Sequence, residues 1–353
     1  MKRGKKMKSA YFVAPGEMEV RELPKPELEN PTDAVIKIVR ACVCGSDLWW
    51  YRGISKKEPG VVGHEAIGVI ESVGQDVTQF RKGDFVIVPF THGCGHCKIC
   101  KAGFEGNCIN DAGATSAHQA EYYRAINADG ALVKVPGQPS DYTDEQLASL
   151  TTLADVMPTG FHAAKAAQVK KGDTVVIFGD GAVGLCAVIG AKLLGADQII
   201  MMSRHADRGA MATEFGATAI IKERDQAAVD QILAMTDGLG ADAVLECAGT
   251  KSSVETAFKV ARAGGNIGRV GIPHDVDYNP YMTRLFAKNI GLTGGVASVS
   301  LWDKELLLQA VLDGEINPGK VFTATYQLDE IQAAYQDMDD RKTIKSLLRV
   351  SQG

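Results

Sequence analysis

Residues 174–184 read Thr174-Val175-Val176-Ile177-Phe178-Gly179-Asp180-Gly181-Ala182-Val183-Gly184. The first five form an apolar run of strand length, and Ala182–Leu194 then has the length and composition of a helix. Between them the glycines fall in the spacing Gly-x-Gly-x-x-Gly. Gly179 permits a tight turn, Gly181 lets backbone approach a pyrophosphate, and Gly184 lets the helix pack closely on the strand. The helix start, at Ala182 and Val183, offers unpaired N–H groups and a positive dipole end to phosphate. Glycines also mark plain turns, but the context of a strand before and a helix after is the one that dinucleotide binding requires. Asp180 brings a negative charge close to those phosphates and is expected to point to solvent.

The same alternation continues on the C-terminal side. Gln198–Met202, Ala219–Ile221, Ala243–Leu245 and Asn266–Val270 are short apolar runs, and Arg208–Phe215, Ala227–Met235 and Val254–Val260 read as helices. Strands alternating with helices imply a parallel sheet covered on both faces, a doubly wound α/β domain expected over 154–297. The N-terminal half has a different character. Val35–Val39, Ala66–Val73 and Asp84–Pro89 are strand-like pieces broken by Gly and Pro, which predicts an irregular β-rich domain over 1–153. Near the end, Asp303–Asp313 and Asp329–Met338 read as helices and Ser346–Val350 as a strand, so 298–353 is expected to return to the first domain.

The end of the second strand of such a sheet distinguishes the dinucleotides, because NAD-dependent enzymes place an acid there for the ribose 2′-OH. Here the stretch is Met202-Ser203-Arg204-His205, with Arg208 nearby and Asp207 one helical turn in. Ser203 can donate to a phosphate and Arg204 can pair with one through its planar fork. This favours NADP over NAD; the alternative is a solvated helix start with ordinary charges.

Composition restricts the function classes. The chain has 353 residues, 45% hydrophobic and 23% charged, with a net charge of -5, which suits two soluble globular domains. Nucleic-acid binding would call for a basic surface and is not expected. The one basic run, Met1–Lys8, is followed by no apolar core long enough for a secretory signal, and no stretch reaches the roughly 18 apolar residues of a membrane span. A cytoplasmic protein is expected, so its eight cysteines should stay reduced.

Four of those cysteines cluster. Cys94, Cys97 and Cys100 follow a Cys-x-x-Cys-x-x-Cys spacing, and Cys108 comes after seven more residues. Four thiolates with no open position describe a closed structural zinc site. An iron–sulfur cluster takes the same ligands; the short loop, with Gly93, Gly95, Gly103 and Gly106, favours one zinc, with His92 and His96 as bystanders. A second set is scattered. Cys44-Gly45-Ser46-Asp47 and Gly63-His64-Glu65 lie twenty residues apart, each beside a strand-like run. A thiolate and an imidazole suit a catalytic zinc, which needs three protein ligands and an open position. Spacing alone does not show that they converge, and singly each residue also suits a packed core.

Taken together these motifs resemble the zinc-containing alcohol dehydrogenases of the medium-chain dehydrogenase/reductase family, with a GroES-like domain and a Rossmann domain. The resemblance also takes in Asp155-Val156-Met157-Pro158-Thr159-Gly160-Phe161-His162-Ala163, Gly294-Gly295-Val296 and Ile316-Asn317-Pro318-Gly319, and so spans nearly the whole chain. It implies a catalytic zinc on Cys44 and His64, with Asp155 as third ligand and Glu65 exchangeable, besides the structural zinc. It implies that Asp47 fixes the tautomer of His64, that Ser46 carries the proton of the alcohol, and that Lys345 lies near the pyrophosphate. Val270, Gly271 and Ile272, with Gly295 and Val296, would line the nicotinamide, and Ser203-Arg204 matches the NADP-using branch. The implied reaction is hydride transfer between the cofactor and a small alcohol or its carbonyl partner, in a cleft between the domains. Polyol, threonine and formaldehyde dehydrogenases share the pattern. A cofactor-binding protein that has lost catalysis would require a damaged site, whereas Cys44, His64, Asp155, Ser46 and the glycine loop are all present. A homo-oligomer, tetramer before dimer, is expected. One position departs: Trp49 stands where many members carry a relay histidine.

Overall fold

The computed structural model describes residues 5–110, 116–272, 288, 290–297 and 300–352; the first four residues of the basic run lie outside them. The chain forms two compact units, Met1–Asp155 with Ser298–Gly353, and Val156–Ala297. Ala154 and Asp155 continue the last turn of the helix Asp144–Thr152. Their N–H groups donate to Thr151 O at 3.1 Å and Thr152 O at 3.2 Å.

The second unit is an all-parallel, six-stranded sheet in the order Ala219–Ile221, Gln198–Met202, Thr174–Phe178, Ala241–Glu246, Ala261–Arg269, Gly291–Gly294. The strand that opens the sequence argument therefore lies near the middle. Side chains alternate across a strand, and Val175 and Ile177 are as fully buried as Val176. Both faces are covered, as a continuous apolar run requires. Val176 packs with Ile200, Val244, Ile267 and Phe258. The strand order reverses beside Thr174–Phe178, the topological switch point at which such sheets bind ligands. Some starts fall earlier than the sequence suggested. The helix after the second strand is Ala206–Phe215, closed by Gly216 at φ +119°. The strand Ala261–Arg269 and the helix Lys251–Val260 also begin earlier, the latter on a Thr250/Ser253 capping box.

The first unit is β-rich. One sheet joins Glu17–Pro24, Lys6–Ala14 and Gly60–Val61. The larger sheet runs Phe322–Gln327, Lys345–Arg349, Ala34–Cys42, Ala66–Val73, Phe85–Val88, Val133–Val135, with Tyr122–Ala125 also paired to Ala34–Cys42. The C-terminal strand does return to this unit, one residue earlier than expected, and pairs antiparallel with Ala34–Cys42. Phe12, Ile36, Ile38, Ile70 and Tyr335 centre its core. No helix among the described residues is long and apolar enough to cross a membrane.

Candidate active site

Strand pairing explains how the scattered residues meet. Ala34–Cys42 and Ala66–Val73 are antiparallel with Ala41 opposite Ala66. Cys44, just past one strand, and His64-Glu65, just before the other, therefore emerge at the same end. Asp155 arrives from the end of the helix Asp144–Thr152. Gly63 makes the bend before His64 at φ +95°, where a Cβ would lie 2.4 Å from Gln119 Cγ.

Ligand atoms of Cys44, His64, Glu65 and Asp155 all lie within 4.8 Å of one another. Cys44 Sγ is 3.4 Å from Asp155 Oδ2, and His64 Nε2 is 3.5 Å from Asp155 Oδ2 and 3.9 Å from Glu65 Oε1. Burial, and then the charges of Asp155 and Glu65, push the Cys44 thiol up. Burial works to lower His64, but Cys44, Asp47 and Asp155 outweigh it and favour the cationic ring. A buried cluster of anionic donors thus calls for positive charge, and Glu65 Oε2 is buried with no hydrogen-bond partner. One thiolate, one imidazole and carboxylates form a zinc donor set, so the residues fit the metal.

The surroundings differ in part from expectation. Asp47 accepts from the Cys44 N–H at 3.1 Å and from Tyr335 OH at 3.4 Å, while its Oδ1 is 3.7 Å from His64 Nδ1. That last distance is too long for a hydrogen bond, so Asp47 acts on the ring through its charge and holds the Cys44 loop directly. The Tyr335 hydroxyl lies closer to Gln119 Oε1, at 3.0 Å, so its one proton is shared between the two acceptors, and Gln119 Nε2 donates to Cys42 O at 2.9 Å. Lys345 is not a phosphate-facing residue here. It is fully buried, and its ammonium pairs with Glu65 Oε1 at 2.7 Å and donates to Val43 O at 3.0 Å. The antiparallel register, Leu347 opposite Cys42, places it there. Ser46 is partly exposed at the start of the short helix Asp47–Tyr51, and its hydroxyl makes no hydrogen bond among the described residues. Trp50 packs on Phe12 and Tyr335, with ring centroids 4.8 and 5.5 Å away, partly buried against the core.

Cys94, Cys97, Cys100 and Cys108 gather in one lobe, all reduced, with sulfurs within 4.8 Å of one another. Cys97 Sγ is 3.5 Å from Cys100 Sγ and 3.9 Å from Cys108 Sγ. A tetrahedron with Zn–S bonds of about 2.3 Å has edges of about 3.8 Å, so the four fit one zinc. N–H groups already point at the sulfurs: Cys97 N at Cys94 Sγ, 3.4 Å, and Cys94 N at Cys108 Sγ, 3.3 Å. Burial opposes ionisation of Cys94, but such donors and the Asn110 amide bring it down to about 6. The lobe has little apolar core of its own, so replacing one ligand should unfold it. Cys97→Ser is expected to release this zinc and to make the segment around 94–108 the first site of limited proteolysis, with a chromogenic zinc indicator reporting the release. Retention of the metal and of the cleavage pattern would contradict the assignment.

In the second unit, Gly179 takes φ +102°, as the tight turn requires, and a Cβ on Gly184 would lie 1.6 Å from Gly179 O. Gly181 is the N-cap of the helix Ala182–Leu193, and a Cβ there would meet nothing within 4 Å, leaving room for a phosphate. Val270, Gly271 and Ile272 follow one strand and Gly295 and Val296 the next, with Arg269 opposite Gly294. They occupy the same carboxyl edge of the sheet as the glycine loop, with Ile272 52% and Val296 65% exposed.

The end of the second strand is not as the sequence suggested. Ser203 is fully buried and donates to Asp180 Oδ2 at 2.7 Å, so it is not free for a phosphate. Asp180 does not point to solvent. It also meets His205 Nδ1 at 2.8 Å and Arg208 NH1 at 3.3 Å. Burial opposes its ionisation, but His205, Ser203 and Arg208 outweigh that and hold its carboxyl below the usual range. Arg204 is exposed.

Comparison with known proteins agrees with this geometry. The family model for the alcohol dehydrogenase GroES-like domain matches residues 30–137, and that for zinc-binding dehydrogenase matches 182–305. An alcohol dehydrogenase of Cupriavidus necator is 31% identical over 93% of this chain and 94% of its own length. A glutathione-independent formaldehyde dehydrogenase of Bacillus subtilis is 30% identical over 90% of this chain and 87% of its own. The structure of alcohol dehydrogenase TADH from Thermus sp. ATN1 superposes with a TM-score of 0.89 at 28% identity, over 98% of this chain and 100% of that one. The chain belongs to the zinc-dependent alcohol dehydrogenases of the medium-chain dehydrogenase/reductase family.

Proposed function

We propose that this enzyme uses NADP(H) in preference to NAD(H), holds two zinc ions per chain, and acts on a small primary or secondary alcohol and its aldehyde or ketone. The observation that carries the cofactor preference is Arg204. It stands exposed at the end of the second strand, where an NAD enzyme would place an acid. Two groups of converging ligand atoms support the zinc count. Cys44, His64 and Asp155 would hold the catalytic metal, and Lys345 fixes Glu65 next to them. When bound, the zinc supplies Lewis acidity at the substrate oxygen and the nicotinamide gives or takes the hydride. The chain's own part is to position and to move the proton. Ser46 Oγ, without another partner, takes the proton of the alcohol or returns it. Trp49 cannot carry it on, so beyond Ser46 the proton would need water, a cofactor hydroxyl or another base. A second reading, formaldehyde as substrate, is supported by the Bacillus subtilis relative.

The test is the rate of NADPH and NADH oxidation with a panel of small aldehydes and ketones, before and after a chelator. Turnover with NADPH that chelation abolishes and zinc restores is the expected result. Arg204→Ala should then raise the KM for NADPH about tenfold or more and leave that for NADH nearly unchanged. Turnover with NADH alone would overturn the cofactor preference.

A further inference from the structure

We propose that Asp180 is a second cofactor-specificity residue, one that weakens the preference for NADP and lets the enzyme accept NAD as well. This rests on the reading of the second strand's end as the ribose site. Position and chemistry carry it. An NAD-dependent enzyme supplies an acid from the second strand itself. Here the acid comes from the glycine loop and reaches the same place: its Oδ2 is 2.7 Å from Ser203 Oγ, at the end of that strand, and 2.8 Å from His205 Nδ1. The carboxylate is mostly buried, 14% exposed, and fixed by three partners. A fixed carboxylate at this point accepts a hydrogen bond from a ribose 2′-OH and repels a 2′-phosphate. Arg204 and Arg208 act in the opposite sense. Arg208 lies 3.3 Å from Asp180, so part of its charge is spent on that acid before any phosphate arrives. The preference is thus a balance of two guanidinium groups against one carboxylate, and an acid supplied from the loop is invisible to a reading of the strand end alone.

The experiment measures binding of 2′,5′-ADP and of ADP by calorimetry, with steady-state rates for NADPH and NADH, in the wild type and in Asp180→Asn. The asparagine keeps the shape and loses the charge. The affinity ratio of 2′,5′-ADP over ADP, and the NADPH over NADH ratio of kcat/KM, should each rise about tenfold or more. Arg208→Gln gives the reverse test with the loop sequence unchanged and Ser203 and His205 still holding Asp180: 2′,5′-ADP should bind about tenfold more weakly while ADP is little changed. Ratios that stay the same or fall in Asp180→Asn overturn the proposal, as does an Arg208→Gln loss shared equally by ADP. The two readings fail separately. A wild type that uses only NADH, with ratios that still rise in Asp180→Asn, would overturn the NADP preference and leave the role of Asp180 standing. A strict NADPH preference unchanged by Asp180→Asn would do the opposite.

Discussion

The Cys44→Ala protein is expected to keep one zinc of two and to lose turnover by about 10³-fold or more, while remaining folded. The two ligand groups belong to different loops of the first unit and share no residue, so loss of one leaves the other intact. At the catalytic set the thiolate is the softest donor. Without it, His64 and Asp155 remain, and Glu65 stays held to Lys345 at 2.7 Å. An oxygen-rich set with one imidazole binds zinc poorly. A loss of several kcal/mol of transition-state stabilisation is a factor of about 10³. Cys44 is a small buried residue, so its truncation opens little cavity, and the melting temperature should fall by only a few degrees. Metal analysis with steady-state rates on one preparation decides it. Full zinc content in Cys44→Ala would place the metal elsewhere, and undiminished turnover at half the zinc would remove the catalytic role of this set.

What the sequence showed and what it hid follow from the range of the interactions. The glycine loop is legible because its demands are local: a positive φ at Gly179 and no room for a Cβ at Gly184 are properties of a dozen consecutive residues. The four-cysteine lobe is legible for the same reason. The meeting of Cys44, His64 and Asp155 is not local. It depends on the pairing of Ala41 with Ala66 and on a helix end far along the chain, and only the resemblance to a family supplied it ahead of the structure. Tyr335 and Gln119, which brace Asp47 and the Cys44 loop, left no signal at all, since a tyrosine in an amphipathic helix reads as core. Asp180 was read with the wrong sign. A charged residue in a phosphate loop suggests solvent, whereas the loop turns it toward Ser203, which the sequence offered to a phosphate, and toward His205 and Arg208.

Lys345→Met should be the costliest single change outside the ligands, at about 3–5 kcal/mol, because it leaves Glu65 as a buried carboxylate stripped of its cation. Both side chains are fully buried, so water replaces nothing. Burial acts to lower Lys345, but Cys42, Glu65, Cys44 and Asp155 around it outweigh that and hold the ammonium charged. Urea unfolding of the zinc-loaded protein gives the loss directly, as a lower midpoint at unchanged slope. Two further measurements separate the ion pair from simple packing. In Lys345→Met/Glu65→Gln the uncompensated charge is gone, and the double variant should regain part of the loss, with a coupling of about 1–3 kcal/mol. A packing defect would instead add the two losses. Chelation supplies the second control. A zinc held by the neighbouring ligand atoms would place a second positive charge close to Glu65. Stripping the zinc should therefore widen the gap between Lys345→Met and the parent. A gap that stays the same would mean that Glu65 does not face the metal, and that Lys345 serves the strand register alone.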